Sequence, residues 1–280
     1  DRLRAVTLNL DCGGTDPDGS EHRLHTHADF LRDQAPDVLA LQECTFWDEQ
    51  QERRLLLLCA ILGMAPVLMV RDHIGDGRNH TALLYRPDRL RLIGRRALGV
   101  GVFHHALIQA RLRPIGAGDD NTRDLLVLAT HFTHTDGESR LRESRWTTDY
   151  AGPFPGAPKR GMLMGDLNCS GMYDEDPDWN LVPRNLHARY RFTEPDGGAG
   201  WIDRRAIHVL HHAGWHDPQR FTGRARAATV GYAYENEPVP LRLDHILTRG
   251  LTVRDYRTHD TPEARAASDH LPVVLDADMP

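Results

Sequence analysis

An α/β or α+β fold follows from the way apolar runs are distributed along the 280 residues. Short runs rich in Val, Leu and Ile stop abruptly at a polar residue, the pattern of buried strands that deliver side chains to a sheet rim. Segments with helical spacing of apolar residues alternate with these runs. No repeat at a fixed period and no linker divides the chain, so residues 1–280 read as one domain.

The first unit is strand, helix, strand. Leu3 to Leu10 reads as a strand carrying Asn9 near its end, His22 to Gln34 as a helix with Leu24, Ala28 and Leu31 inward, and Asp37 to Gln42 as a strand that delivers Glu43. Phe46 to Leu62 is helix-like and closes at Gly63, a C-cap residue, after which Pro66 to Val70 is extended. Ala82 to Tyr85, with the turn signal Arg86-Pro87-Asp88, begins a β-meander through Leu90 to Ile93, Gly99 to Phe103 and Ala106 to Leu112. Asp124 to Thr130 is the cleanest strand and delivers His131. Arg140 to Tyr150 is helical. Gly152 to Lys159 is a Pro- and Gly-rich loop, because Met162 to Met164 resumes the alternation and leads into Gly165-Asp166-Leu167-Asn168. Periodicity is weak from Tyr173 to Gly200. Ile202 to Ala213 is helical, and Leu241 to Leu247, Leu251 to Tyr256 and Val273 to Ala277 close the chain as strands.

Composition excludes several classes. With 40% hydrophobic and 26% charged residues the chain is neither collagen-like nor disordered. The longest uncharged stretch, Leu55 to Val70, is shorter than the roughly 20 residues of a spanning helix and is interrupted by Gly63 and Pro66, so no transmembrane segment is expected. The formal net charge of -6 argues against a protein that coats nucleic acid electrostatically, but not against local phosphate binding. Lys159 is the sole lysine, so the basic residues are almost all arginine. Cys12, Cys44, Cys59 and Cys169 are too few and too scattered for a disulfide scaffold and leave their redox state open. The chain opens at Asp1 with neither Met nor an apolar signal segment, so a cytoplasmic and a secreted location are both compatible with it.

The chemistry concentrates at strand ends. Thr7-Leu8-Asn9, Pro36-Asp37-Val38-Leu39-Ala40-Leu41-Gln42-Glu43, Ala129-Thr130-His131, Gly165-Asp166-Leu167-Asn168, Leu243-Asp244-His245-Ile246 and Ser268-Asp269-His270-Leu271-Pro272 follow one another over almost the whole chain. Singly, each has an ordinary structural reading: a helix-capping Glu43, a satisfied Asp244, a turn at Asp269-His270, a solvated His131. Together they resemble the endonuclease/exonuclease/phosphatase superfamily, DNase I-like metal-dependent phosphoesterases.

The resemblance implies a four-layer sandwich, two central mixed β-sheets flanked by helices, with the site at one rim. It also implies hydrolysis of a phosphate ester with Mg²⁺ or Mn²⁺. Asn9 and Glu43 take the place of metal-side ligands, with Asp269 completing or supporting that site. Asp166 and Asn168 take the place of the pair that handles water and phosphate; His270, oriented by Asp244, that of the catalytic histidine; His131 that of a phosphate-contacting histidine. Asn79, in the loop Gly75-Asp76-Gly77-Arg78-Asn79, and Arg111 are candidate substrate-binding residues. The residue types agree independently: oxygen ligands suit a hard cation that accepts phosphate oxygens, and a histidine backed by a carboxylate suits proton transfer to or from water.

Where abasic-site endonucleases place a Tyr shortly followed by Asn, this chain has His131-Phe132-Thr133-His134, which argues against that repair role. His25-Thr26-His27-Ala28-Asp29 lacks the final histidine of a binuclear zinc motif and reads as a solvated helix face. The His104-His105 and His211-His212 pairs read as surface residues, and Asp174-Glu175-Asp176-Pro177-Asp178 as a solvated loop. Asn168-Cys169-Ser170 matches a glycosylation acceptor but overlaps the proposed site. Between Arg184 and Arg226 eight arginines face four acidic residues, and Trp201, Trp215 and Phe221 interleave with them. This is either a base-stacking, phosphate-binding patch or core aromatics among solvated arginines. The expected partner is a phosphate-ester substrate, most simply a nucleic acid cut by a nuclease or phosphodiesterase, alternatively a small or lipid phosphate, acted on by a monomer. A catalytically silent binding module of the same fold is the third reading, disfavoured because Glu43, Asp166, Asn168, Asp244, Asp269 and His270 are all intact.

Overall fold

In the computed structural model, which describes residues 2–152 and 154–279, two β-sheets pack face to face with helices on both outer sides. The elements are β1 (Arg2–Asn9), α1 (His22–Gln34), β2 (Val38–Gln42), α2 (Arg53–Leu62), β3 (Ala65–Val70), β4 (Thr81–Tyr85), β5 (Leu90–Leu98), β6 (Leu107–Pro114), β7 (Leu125–His131), α3 (Gly137–Thr147), β8 (Arg160–Asp166), α4 (His187–Tyr190), β9 (Arg191–Thr193), β10 (Ala199–Ile202), α5 (Arg205–Ala213), α6 (Gln219–Thr222), β11 (Asp244–Arg249), β12 (Val253–Thr258), α7 (Pro262–Ala267) and β13 (Val273–Asp278). One sheet has the order β12-β13-β1-β2-β4-β3, the other β11-β8-β7-β6-β5. In the first only β1 and β2 pair in parallel, and in the second only β7 and β8. A short hairpin of β9 and β10 stands apart.

Alternating strand faces fill three buried layers. Ala5, Val38, Ala40 and Leu83 of the first sheet meet Ile108, Val127, Met164 and Ile246 of the second between the sheets. The opposite faces pack on helices: Val6, Leu8 and Leu39 on α1 and α2 through Leu24, Leu31, Leu55 and Leu58; Leu126, Leu128 and Leu163 on α5 through Ile207 and Leu210. This is the four-layer sandwich the resemblance implies. At about 25 cal/mol per Å² of apolar burial, each fully enclosed Leu or Ile contributes roughly 2 kcal/mol, so the sandwich holds the strand ends rigidly.

Several local expectations need correction. α2 starts at Arg53, not Phe46, because Gln50, Gln51 and Glu52 adopt left-handed φ angles of 51°, 58° and 58° that break the helix. Gly99 to Phe103 is a turn, not a strand; the Phe103 ring folds back over Gly99, where any Cβ would meet it at 2.3 Å. The stretch read as one meander is divided, since β4 belongs to one sheet and β5 and β6 to the other. α7 and the β9–β10 hairpin had no counterpart in the sequence reading. All four cysteines are free thiols. Among the described residues, no helix is long and apolar enough to cross a membrane.

Register explains why the polar ends converge. Parallel pairing sets Asn9 beside Gln42, next to Glu43, and His131 beside Asp166. Antiparallel pairing sets Asp244 opposite Asp166, and β13 enters beside Thr7 directly after Ser268-Asp269-His270. A strand end in one sheet thus faces a strand end in the other across a single rim.

Candidate active site

Asp166 lies at the centre of that rim. Its Oδ1 accepts from the Asn168 backbone N–H at 2.8 Å, and its Oδ2 faces Asn9 Nδ2 at 3.2 Å, His131 Nε2 at 3.4 Å and His270 Nε2 at 3.8 Å. Burial raises its pKa less than the charges of His270 and His131 lower it, so the carboxylate is held well below its usual range. The preceding glycine permits this approach: at Gly165, φ 148°, a Cβ would lie 1.8 Å from the Thr130 carbonyl oxygen. Asn168 takes a left-handed φ of 47° and donates through Nδ2 to the Phe132 carbonyl at 2.9 Å.

His270 Nδ1 meets Asp244 Oδ2 at 2.8 Å, and both residues are buried. Burial favours the neutral ring, yet Asp244 and Asp166 outweigh it and hold the imidazolium well above its ordinary range. The Ser268 hydroxyl fixes the loop, donating to the Asn9 carbonyl at 2.8 Å and accepting the His270 N–H at 3.0 Å. Asp269 beside it is pushed up to about 6, first by burial and then by Asp11, Glu43 and Asp244.

Glu43, also left-handed with φ 52°, turns its carboxylate toward Asn9 Nδ2 at 3.1 Å. Burial raises it, but His131 and His270 overcome this and keep it ionised. Asn9 acts as a bridge: its amide nitrogen reaches both Glu43 and Asp166, while its oxygen accepts the Asp11 N–H at 3.1 Å. Strained φ at Glu43 and Asn168 marks positions where neighbouring structure dictates the conformation.

A cation fits this donor set. Asp11 and Glu43 bring carboxylate oxygens within 4.8 Å of one another, together with the Cys12 thiol, and Asp166, Asp244 and His270 form a second such cluster. Asp244 Oδ1 is buried without a hydrogen-bond partner among the described residues. Crowded carboxylates with oxygen donors match a hard divalent ion, whose charge offsets the repulsion from Asp11, Glu43 and Asp244 that adds to burial at Asp269.

The other predicted residues lie elsewhere. Asn79 accepts the Thr45 hydroxyl at 2.5 Å and props the loop after Glu43 without lining the cleft. Arg111 does not reach the cleft: it pairs in register with Leu126, five residues or roughly 16 Å along β7 from His131, and its guanidinium binds Asp124 and the Gly156 carbonyl. Its alternation and charge were visible in the sequence, but not its distance from the rim.

A layer behind His131 escaped the sequence reading. His105 is buried, not superficial; its ring stacks on His131 with centroids 3.8 Å apart and planes 7° from parallel, and its Nδ1 meets Asp72 Oδ1 at 2.8 Å. Burial and the neighbouring His131 push it down to about 4, so it stays neutral. Glu143 of α3 accepts the His104 and Thr133 N–H groups, each at 2.8 Å, and so clamps both histidine-bearing loops. His27, too, is no solvated residue: it is buried, edge-on to Phe30, and pushed down to about 4 by burial.

The arginine-rich stretch from 184 to 226 is largely occupied internally. Arg205 holds Asp203 at 2.6 Å and Glu138 at 2.7 Å, Arg204 holds Asp176 at 2.8 Å, Arg224 holds Asp255 at 2.5 Å, and Arg191 binds the Gly200 carbonyl at 2.6 Å. Asp174 is not a solvated loop residue; with Asp217 it grips the buried Arg242, at 3.0 and 2.5 Å. Trp215 is core, whereas Trp201 and Phe221 are exposed.

The cleft above the rim has a volume of about 390 Å³. Its floor is Glu43, His131, Asp166, Asn168, Asp269 and His270; its walls come from Arg189 and Tyr190 of α4 and from the segment 230–237. That wall had no sequence signal, because it lies in the aperiodic part of the chain.

A model of the Endonuclease/Exonuclease/phosphatase family matches residues 6–270. Among solved structures, the endonuclease/exonuclease/phosphatase from Bacteroides vulgatus is 15% identical, with 100% of both chains covered and a TM-score of 0.70. The mannosyl-6-phosphatase Bt3783 of Bacteroides thetaiotaomicron VPI-5482 is 17% identical over 99% of each chain, with a TM-score of 0.68. D. rerio TDP2 complexed with single strand DNA product is 16% identical over 99% of each chain, at 0.65. These likenesses are of fold. No curated protein sequence matches the chain.

Proposed function

The chain belongs to the endonuclease/exonuclease/phosphatase family, and from that premise we propose that it is a divalent-metal-dependent hydrolase of phosphate esters, acting over residues 1–280 as one domain by in-line attack of activated water. The observation that carries the reading is the buried Asp244–His270–Asp166 array facing the carboxylates of Glu43 and Asp269. Glu43, with Asp269 and the bridging Asn9, would hold Mg²⁺ or Mn²⁺. That ion, when bound, neutralises charge on the phosphoryl group and on the departing oxygen.

Asp166 and Asn168 align water on the face of the phosphorus opposite the leaving oxygen, Asp166 as acceptor of the water proton. His270, protonated and held by Asp244, donates to a phosphoryl oxygen and stabilises the charge that builds there. His131 Nε2, 3.4 Å from Asp166 Oδ2, would share its proton between that carboxylate and an incoming phosphoryl oxygen, its ring fixed by the stack on His105. Burial disfavours its charge, but the hydrogen bond and charge of Asp166 keep it raised.

Neighbours of this fold include a mannosyl-6-phosphatase and a protein bound to single strand DNA product, so likeness alone supports both substrate readings. p-Nitrophenyl phosphate and its bis-aryl diester test the reaction class. Turnover with Mg²⁺ or Mn²⁺, abolished by EDTA, with ¹⁸O from labelled water entering the phosphate product, is expected. No turnover with any divalent metal would favour the silent binding module.

A further inference from the structure

Beyond the phosphate-handling floor, the cleft walls carry little net charge. Arg189 is the cation among the wall residues, and its Nη1 lies 3.4 Å from Glu237 Oε1, so the pair cancels. His134 is held toward its neutral form by burial and by the charge of Arg189. A polynucleotide brings one phosphate per nucleotide and gains affinity by exchanging counterions for protein cations. Here the one guanidinium of the wall is offset by Glu237, and outside the cleft Arg205, Arg204 and Arg224 are paired with Asp203, Asp176 and Asp255. A lipid phosphate fares no better, because among the described residues Val230, Ala233 and Leu243 are the only aliphatic side chains of the lining.

The walls are instead rich in paired donors and acceptors. Glu237 supplies two acceptor oxygens, Arg189 a fork of donors, Asn236 one of each, and Tyr190 and Tyr234 combine a ring face with a hydroxyl. The segment bearing three of these is anchored: the Tyr232 hydroxyl donates to the Ser268 carbonyl at 2.6 Å, tying it to the loop of Asp269 and His270. Val230 and Leu241 form a β-bridge at its base. An open cleft of about 390 Å³ suits one small molecule and is at the low end of ligand pockets.

From this wall chemistry we infer that the alcohol half of the ester is a compact, hydroxyl-rich group, so that the substrate class is a phosphorylated sugar or polyol, read by Arg189, Asn236 and Glu237. The inference rests on the hydrolase reading and narrows it. Carboxylate and amide oxygens accept hydroxyl protons, the guanidinium donates to hydroxyl oxygens, and the phosphate descends to the rim.

The test compares kcat/KM for a hexose 6-phosphate, glycerol phosphate, butyl phosphate and 5′-phosphorylated DNA and RNA oligonucleotides. Butyl phosphate has a similar leaving oxygen but no hydroxyls. The expected result is at least about a tenfold preference for a hydroxylated substrate over butyl phosphate, the scale of one net hydrogen bond. Asn236→Ala and Glu237→Ala should each shrink that preference several-fold. Oligonucleotides turned over faster than every hydroxylated ester, or a preference untouched by both substitutions, would overturn the inference and leave the hydrolase standing. Failure on every phosphate ester would overturn both.

Discussion

Replacing Asp244 with Asn tests the machinery at its most buried polar contact. The side chain keeps its shape but loses the charge facing His270 Nδ1 at 2.8 Å. If Asn turns its oxygen to the ring, its NH₂ occupies the place of Oδ1, which has no partner among the described residues; a buried donor left unpaired costs roughly 1–3 kcal/mol of stability. The kinetic effect is separate. With charge centres about 4 Å apart and an effective dielectric of about 20, carboxylate and imidazolium attract by about 4 kcal/mol. Losing most of that in the transition state lowers kcat by roughly 10²- to 10³-fold, at about 1.4 kcal/mol per tenfold. The sign of the pH effect also follows. Asp244 and Asp166 raise the His270 imidazolium above its ordinary range, so removing one carboxylate lets the proton leave at lower pH, and the limb of the kcat/KM profile that reports His270 moves down. The assay is aryl phosphate hydrolysis across pH 5–10, with thermal unfolding as the control for folding. A variant within threefold of the parent, with an unmoved limb, would show that Asp244 is only a satisfied structural carboxylate.

Gly165→Ala should prevent a native fold or remove several kcal/mol of stability, because its Cβ would meet the Thr130 carbonyl oxygen at 1.8 Å and push Asp166 off the rim; urea unfolding measures this, and a loss below about 1 kcal/mol would refute the tight β7–β8 approach. Glu143, raised from 4.5 to about 7 by burial, binds its proton more tightly folded than unfolded, so stability should fall as pH rises through that window. The fall is on the order of 3 kcal/mol at about 1.4 kcal/mol per pH unit. Glu143→Gln should flatten it, and an unchanged slope in chemical denaturation would count against the assignment.

Much of the rim was legible because its signals are local. His22–Gln34 was readable to both ends from its apolar spacing, and Asn9, Glu43, His131 and Asp166 each close an apolar run that can only be a buried strand. What converts those ends into one cluster is register, which pairs His131 with Asp166 across 35 residues of chain and Asp244 with Asp166 across 78, a relation no local pattern encodes. Arg111 shows the converse: a plausible charge on a strand is remote when it sits midway along it. The cleft walls were illegible because their order comes from side chain to backbone bonds, such as Arg140 to the Arg189 carbonyl and Tyr232 to that of Ser268, which leave no periodicity. His105 and His27 were misjudged because adjacent or alternating histidines look solvated until tertiary packing buries them.

The most direct measurement is the rate of aryl phosphate hydrolysis against Mn²⁺ concentration for the parent, Glu43→Ala and His270→Ala. The account predicts saturable, metal-dependent turnover in the parent, loss of metal response in Glu43→Ala, and at least a hundredfold fall at saturating metal in His270→Ala. Equal turnover by all three proteins, or turnover indifferent to metal, would contradict it.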